Sequence, residues 1–259
     1  MKRSFFLLAG LLALLAACTP KIPDDAYVIG FYNVENLFDT THDRGKNDQA
    51  FTPDGENRWT PDKYEKKLSN IASVIRAMSQ TNGRWHTILG LAEVENEHVL
   101  QDLVACDEIA EAGYKFVHFE SPDVRGIDCA LLYRPDQFEV QESRTIGYDF
   151  NTHSGIVFEK TPQEQAEFLT RDVLFVRGWL DGEMFGIYVA HYPSRIGGKG
   201  MDLRSRASEI IYDDIREQEQ RHPGIKIVVM GDMNDNPEDE SLLTWLHSRE
   251  TIAQMQGGD

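Results

Sequence analysis

Residues 225–239 read IKIVVMGDMNDNPED, and this stretch decides how the rest of the chain is understood. Ile225 to Met230 is an apolar, β-branched run of the kind that forms a buried strand. Directly after it come Gly231, Asp232, Met233, Asn234, Asp235, Asn236 and Pro237, turn formers that also carry chemistry. A rigid strand ending in acids and carboxamides is how sheet proteins position the side chains of a site. Three other strand-like runs end in the same manner. Tyr27 to Val34 carries Asn33, His86 to Val94 carries Glu93, and Met184 to His191 leads into His191-Tyr192-Pro193-Ser194-Arg195.

Between these runs helices and strands intermix. Thr60-Pro61 reads as an N-cap with a first-turn proline, followed by Tyr64, Leu68, Ile71, Ala72, Ile75 and Met78 on a helical stripe. Residues 97–112 read as a helix closed by Gly113. Strands are expected at 114–120, 128–133 and 138–147, then a polar loop at 149–167. Residues 168–180 and 184–191 follow as a hairpin around Asp181-Gly182. Leu203, Ala207, Ile210, Ile211 and Ile215 mark a helix ended by Pro223-Gly224, and 241–247 a last short one. No repeat, low-complexity tract or interdomain linker interrupts the series. Residues 27–259 are therefore expected to form one α+β domain with helices packed on sheet faces.

Composition agrees with that class. Hydrophobic types make up 41% and charged types 27%, the balance of a globular rather than a disordered chain. Three cysteines are too few for a disulfide scaffold. The net charge of −17 argues against holding nucleic acid by massed phosphate contacts, which needs clustered Lys and Arg. It leaves room for an enzyme that grips its substrate locally through a metal ion and a few cations.

The first residues read as an address. Lys2 and Arg3 precede an apolar run from Phe5 to Ala17, shorter than the roughly 20 residues that span a bilayer. Leu15-Ala16-Ala17-Cys18 resembles the lipobox of bacterial lipoproteins, in which the cysteine becomes the lipidated first residue. Residues 1–17 are read as a signal peptide and 18–26 as a lipidated Cys18 with its tether. An exported protein anchored to the cell envelope is expected. The alternative is a plain signal peptide or a short membrane anchor. Of the other cysteines, Cys129 lies in an apolar strand and reads as a buried thiol rather than half of a bridge to Cys106.

The strand-end inventory is carboxylates, carboxamides and one histidine, without a thiol cluster. Hard oxygen ligands suit Mg²⁺, with Mn²⁺ or Ca²⁺ as alternatives, rather than structural zinc. Such a set allows metal-assisted hydrolysis of a phosphate ester. Each residue also has an ordinary explanation: a turn-bridging Asn33, a solvated Glu93 with Glu95 and Glu97 its equals, a packed His191, an Asx turn at Asp232 and Asn234. As a set they point to a site. Arg195, Lys199 and Arg204 are either substrate contacts or a solvated basic loop.

FYNVENLF (31–38), LAEVEN (91–96), GIDCALLYRP (126–135), VAHYPSR (189–195) and GDMNDNPED (231–239) together resemble the endonuclease/exonuclease/phosphatase superfamily, whose fold is deoxyribonuclease-I-like. The resemblance implies a four-layer α/β/β/α sandwich of two mixed β-sheets with a metal site at one edge. It implies Glu93 and Asn33 as metal-binding residues, and Asp232 and Asn234 as the pair orienting the attacking water, Asn234 also contacting phosphate. His191 becomes the histidine that bonds the phosphate or leaving group, and Arg171 the arginine that reaches the phosphate. The expected substrate is a phosphate ester, either nucleic acid or a lipid or sugar phosphate, and the expected state a monomer. The family finishes with an Asp-His pair, and this chain contains no Asp-His dipeptide. It is therefore read as C-terminally incomplete, with further strands expected, the other readings being a truncated homologue or a subfamily with a different base. The alternative is a non-catalytic surface binding protein on the same fold.

Overall fold

Apolar runs become strands, several of them buried on both faces, and eight strands form two four-stranded sheets among the described residues. The structure is a computed structural model, and it describes residues 26–148, 170–195, 201–251 and 253–254. In chain order come β1 (Ile29–Leu37), α1 (Pro61–Asn82), β2 (Ile88–Val94), α2 (Glu97–Ala105), β3 (Lys115–His118), β4 (Asp128–Tyr133) and β5 (Phe138–Ile146). Then follow β6 (Val173–Leu180), β7 (Glu183–His191), α3 (Met201–Arg221), β8 (Lys226–Asp232) and α4 (Glu240–Trp245).

One sheet runs β1-β2-β4-β3 and the other β5-β6-β7-β8. Both are mixed: β1 pairs parallel with β2 and β7 parallel with β8, while the remaining pairs are antiparallel. Three apolar layers hold the sandwich. Leu68, Ile71 and Ile75 of α1 and Val99 and Leu103 of α2 pack on Leu89, Leu91 and Leu132 of the first sheet. Ile88, Leu131, Leu174, Val176 and Ile187 fill the space between the sheets. Ala207 and Ile211 of α3 cover Phe175 and Tyr188 on the far side. This is the α/β/β/α arrangement of two mixed sheets that the sequence implied.

Element ends differ from expectation in instructive places. The helix read over 97–112 stops at Ala105, and residues 110–112 form a separate 3₁₀ turn closed by Gly113 at φ 66°. An unbroken helix would carry Asp107 onto the face set by Val99, Leu100 and Leu103; the break turns in Ile109, which is fully buried. The strand read over 114–120 is only Lys115–His118, and the last helix is Glu240–Trp245. The two ends that bear the site run longer than read: β1 reaches Leu37 and β8 reaches Asp232. The expected leader with Cys18, the polar loop at 149–167 and Lys199 lie outside the described residues. Cys129 is buried and Cys106 half-buried, both as free thiols. Beside β8 runs an apolar groove of about 890 Å³, lined by Ile215, Ile227, Val229, Met233, Trp245 and Leu246.

Candidate active site

The two parallel pairings set the geometry. In the first sheet Asn33 of β1 stands beside Ala92 of β2, one residue before Glu93. In the second, His191 of β7 stands beside Asp232 of β8. Because β1 lies over β8, the two pairs meet at one edge of the sandwich. Asn33 closes the junction: its Nδ2 donates to Glu93 Oε1 at 3.1 Å and to Asp232 Oδ2 at 3.0 Å. Its Oδ1 accepts the Glu35 N–H at 2.9 Å, so the carboxamide is held at both ends. His191 Nε2 lies 3.7 Å from Glu93 Oε1 and 4.0 Å from Asp232 Oδ2. An open hollow of about 750 Å³, lined by Phe31, Asn33, Arg195, Asp232, Asn234 and Pro237, leads to this gap.

The backbone is bent to aim these groups. Glu93 takes φ 66° and Asn234 φ 52°, the left-handed region that costs a side-chain-bearing residue roughly 1–2 kcal/mol. Register slips flank both Asn33 and Glu93, at Asn33/Leu37 against β2 and at Ala92/Val94 against β4. Gly231 takes φ 157°, and a β-carbon there would lie 2.0 Å from the Ala190 carbonyl oxygen. Only glycine lets β8 come that close to β7 immediately before Asp232. Asn234, in turn, donates its backbone N–H to Asp232 Oδ1 at 3.0 Å and its Nδ2 to the Tyr192 carbonyl at 3.0 Å. The carboxylate of Asp232 is thereby gripped from two sides.

Burial holds the His191 imidazole well below its ordinary pKa, and the nearby Arg171 charge pushes in the same direction while Asp232 opposes. The ring is therefore neutral at neutral pH. Its Nδ1 is buried without a hydrogen-bond partner. Arg171 is itself buried; Nη1 donates to Asp123 Oδ2 at 3.1 Å and Nη2 to the Tyr192 carbonyl at 2.9 Å. Its sequence neighbour Asp172 is not its acid; Asp123, from the loop before β4, is.

The three glutamates that looked equal separate cleanly. Glu93 faces the gap, while Glu97 sits exposed in the first turn of α2. Glu95 is buried and accepts the Asp39 N–H at 2.6 Å; burial pushes its carboxyl up to about 8, against that hydrogen bond. Arg204 is not part of a solvated loop but stands in α3. It is buried, with Nε 2.7 Å from Asp235 Oδ1, and Arg195 Nη2 reaches the same oxygen at 2.9 Å. Asp123, Asp235 and the Tyr192 carbonyl were not singled out in the sequence. The Ser121-Pro122-Asp123 turn and the Asn234-Asp235-Asn236 run were the signals available.

Two groups among the described residues place three acid or imidazole ligand atoms within 4.8 Å of one another, Asp43 with Asp48 and Glu95, and His118 with Glu120 and Asp128. Neither includes Glu93 or Asp232. At the gap itself the oxygen ligands are the carboxylates of Glu93 and Asp232, bridged by the Asn33 Nδ2, and two carboxylates suit a hard divalent cation.

Known proteins share this architecture. The sequence profile of the endonuclease/exonuclease/phosphatase family matches residues 28–257. An endonuclease/exonuclease/phosphatase family protein from Bacteroides thetaiotaomicron superposes with a TM-score of 0.58 at 17% identity, over 85% of this chain and 68% of that one. A protein of unknown function from Enterococcus faecalis V583 gives 0.54 at 15% identity, over 85% and 71%. The human Nocturnin catalytic domain gives 0.48 at 20% identity, over 68% of this chain and 60% of that domain. The curated proteins contain no match to the chain.

Proposed function

The chain belongs to the endonuclease/exonuclease/phosphatase family, a family of phosphoesterases, and from that premise we propose that it hydrolyses a phosphate ester by direct attack of water with the help of a divalent cation. The meeting of Asn33, Glu93, His191 and Asp232 in one gap, from four strands of two sheets, is the observation that carries the reading. The Glu93 and Asp232 carboxylates fit Mg²⁺, or Mn²⁺ or Ca²⁺, as hard oxygen ligands, and Asn33, whose Nδ2 bridges them, would join the set by turning its Oδ1 inward. Bound there, the cation supplies neutralisation of the charge that grows on the phosphoryl oxygens.

The protein's own groups do the rest. Asp232, gripped by Asn33 and by the Asn234 N–H, accepts the proton of the attacking water. Neutral His191 donates from Nε2 to a phosphoryl or leaving oxygen, a bond that strengthens as charge develops. Arg171 adds positive potential from behind His191, and Asn234 pins the turn to the end of β7. The chain acts as a monomer on a nucleic acid or on a lipid or sugar phosphate. Residues 1–17 direct export and Cys18 carries the lipid, which metabolic labelling with an alkyne fatty acid reads directly.

Hydrolysis of bis(4-nitrophenyl) phosphate, followed by a panel of single-stranded DNA, phospholipid and sugar phosphates, tests the proposal. Turnover should vanish with chelator and return with Mg²⁺. Asp232→Asn and His191→Ala should each lower kcat by at least about 100-fold with the melting temperature kept. Glu93→Gln should raise the Mg²⁺ concentration needed. Turnover unchanged in Asp232→Asn overturns the assignment. Cation binding without turnover on any substrate makes the protein a non-catalytic binder on this fold.

A further inference from the structure

The loop end of the β3–β4 hairpin carries a second set of ligand-type side chains, distinct from those of the gap. His118 is the last residue of β3, and Asp128 opens β4. Side chains alternate along a strand. Cys129 and Leu131 point between the sheets, whereas Ala130 and Leu132 point to the helices. Asp128 shares the parity of Ala130 and therefore stands on the helix side. His118 lies opposite Ala130, follows Val117 of the inter-sheet layer and shares the parity of Phe116 on the helix side. Glu93 lies one strand over, at the same end of the sheet.

His118 and Asp128 are almost fully buried, at 5% and 2% side-chain exposure, and their Nε2 and Oδ2 atoms face each other at 3.5 Å. Neither atom has a hydrogen-bond partner. They form a long ion-pair contact with each other and no hydrogen bond, and a buried polar atom without one costs roughly 1–3 kcal/mol, so the pair has room for a further partner. The exposed Glu120 brings a carboxylate oxygen within 4.8 Å of both. Lys46, whose charge acts on Glu120, donates elsewhere, to the Ser121 and Asp123 carbonyl oxygens at 2.9 Å each.

We propose that His118, Glu120 and Asp128 form a binding site for a first-row transition cation of the zinc class, separate from the Glu93–Asp232 gap. Ligand bonds of about 2.0–2.2 Å around a tetrahedral ion leave neighbouring ligand atoms about 3.4 Å apart, close to the 3.5 Å between His118 Nε2 and Asp128 Oδ2. One imidazole and two carboxylates favour such an ion over Mg²⁺, which keeps its waters and prefers all-oxygen sets. The other oxygen of Asp128 accepts the Ser121 N–H at 3.1 Å, which orients the carboxylate. The cation ties the end of the β3–β4 hairpin to the loop that carries Asp123, the partner of Arg171. Its role is to stiffen that loop.

The test uses the full chain with Glu93→Gln, which removes the acid assigned to the other cation, and titrates it with Zn²⁺ or Co²⁺ alone by calorimetry and visible absorption. One equivalent should bind, with the intense absorption of tetrahedral Co²⁺. Adding His118→Gln should abolish that equivalent, and adding Glu120→Gln should weaken it by more than about 10-fold. Glu120 is exposed, so its variant folds and decides the matter if the His118 variant does not. Absence of binding in Glu93→Gln, or an unchanged equivalent in the Glu120 variant, overturns the proposal. Loss of this site leaves the phosphoesterase assay of Asp232→Asn to be judged independently.

Discussion

β2 and β8 look alike in sequence and live differently. Each is an apolar run that ends by handing a carboxylate to the gap, Glu93 from one and Asp232 from the other. β2 lies between β1 and β4 with α1 and α2 above it, and Ile88, Leu89, Leu91 and Ala92 are all fully buried. Among the described residues β8 pairs only with β7, and Ile227, Val228, Val229 and Met230 are all half-buried, three of them along the apolar groove. The same contrast reaches the acids: the Glu93 side chain is 15% exposed and Asp232 33%. Hydrophobicity thus specifies a strand, but the neighbours on each side determine how firmly it is held.

The comparison can be broken at its glycines. Gly231→Ala places a β-carbon 2.0 Å from backbone, so β8 must leave β7; we expect a loss of about 3 kcal/mol or more, together with catalysis. Gly90→Ala in β2 meets instead the flexible Met230 side chain, at 2.6 Å from Sδ, and should cost less than about 1.5 kcal/mol. Chemical denaturation of both variants decides the order. If Gly231→Ala proves the milder, β8 is not pinned at that point.

A truncation pair sharpens the same contrast. Leu91→Ala in the buried strand should cost roughly 3 kcal/mol, whereas Val229→Ala in the half-exposed strand should cost about 1 kcal/mol. Equal losses would mean that β8 is as tightly enclosed as β2.

The smallest effect concerns pH. His86, buried just before β2, has its pKa lowered by desolvation. The unfolded chain takes up a proton near pH 6.5 that the folded chain refuses, so the stability is complete above that pH and is lost as pH falls below it. The slope from this one group cannot exceed about 1.4 kcal/mol per pH unit. Melting curves between pH 8 and pH 5 should therefore show a flatter decline in His86→Gln than in the parent, and parallel declines would refute the role. β8 begins with the exposed Lys226 and has no buried counterpart to His86.

What the sequence made legible was whatever is periodic or clustered along the chain. Apolar runs located the strands, and the polar groups at their ends marked Asn33, Glu93, His191 and Asp232, which the fold gathers at one edge. What it hid depends on residues far apart. Asp123 could not be matched to Arg171, nor Asp235 to Arg195 and Arg204, because nothing local marks which acid meets which arginine in space. The break of α2 at Cys106 was invisible for a related reason: the core accepts Ile109 in place of Asp107, and only the assembled core makes that choice. His118 was passed over because it sits in an unremarkable strand, its significance arising only when Asp128 folds opposite.

Asn33 joins Glu93, 60 positions away, to Asp232, 199 positions away. Contacts of such span close late, because the entropy of gathering the intervening chain must be overcome first. During refolding the strands and helices can reappear while the gap is still apart. Assembly of the gap then marks the end of folding, and a chain still in transit carries Asn33, Glu93 and Asp232 as separate pieces.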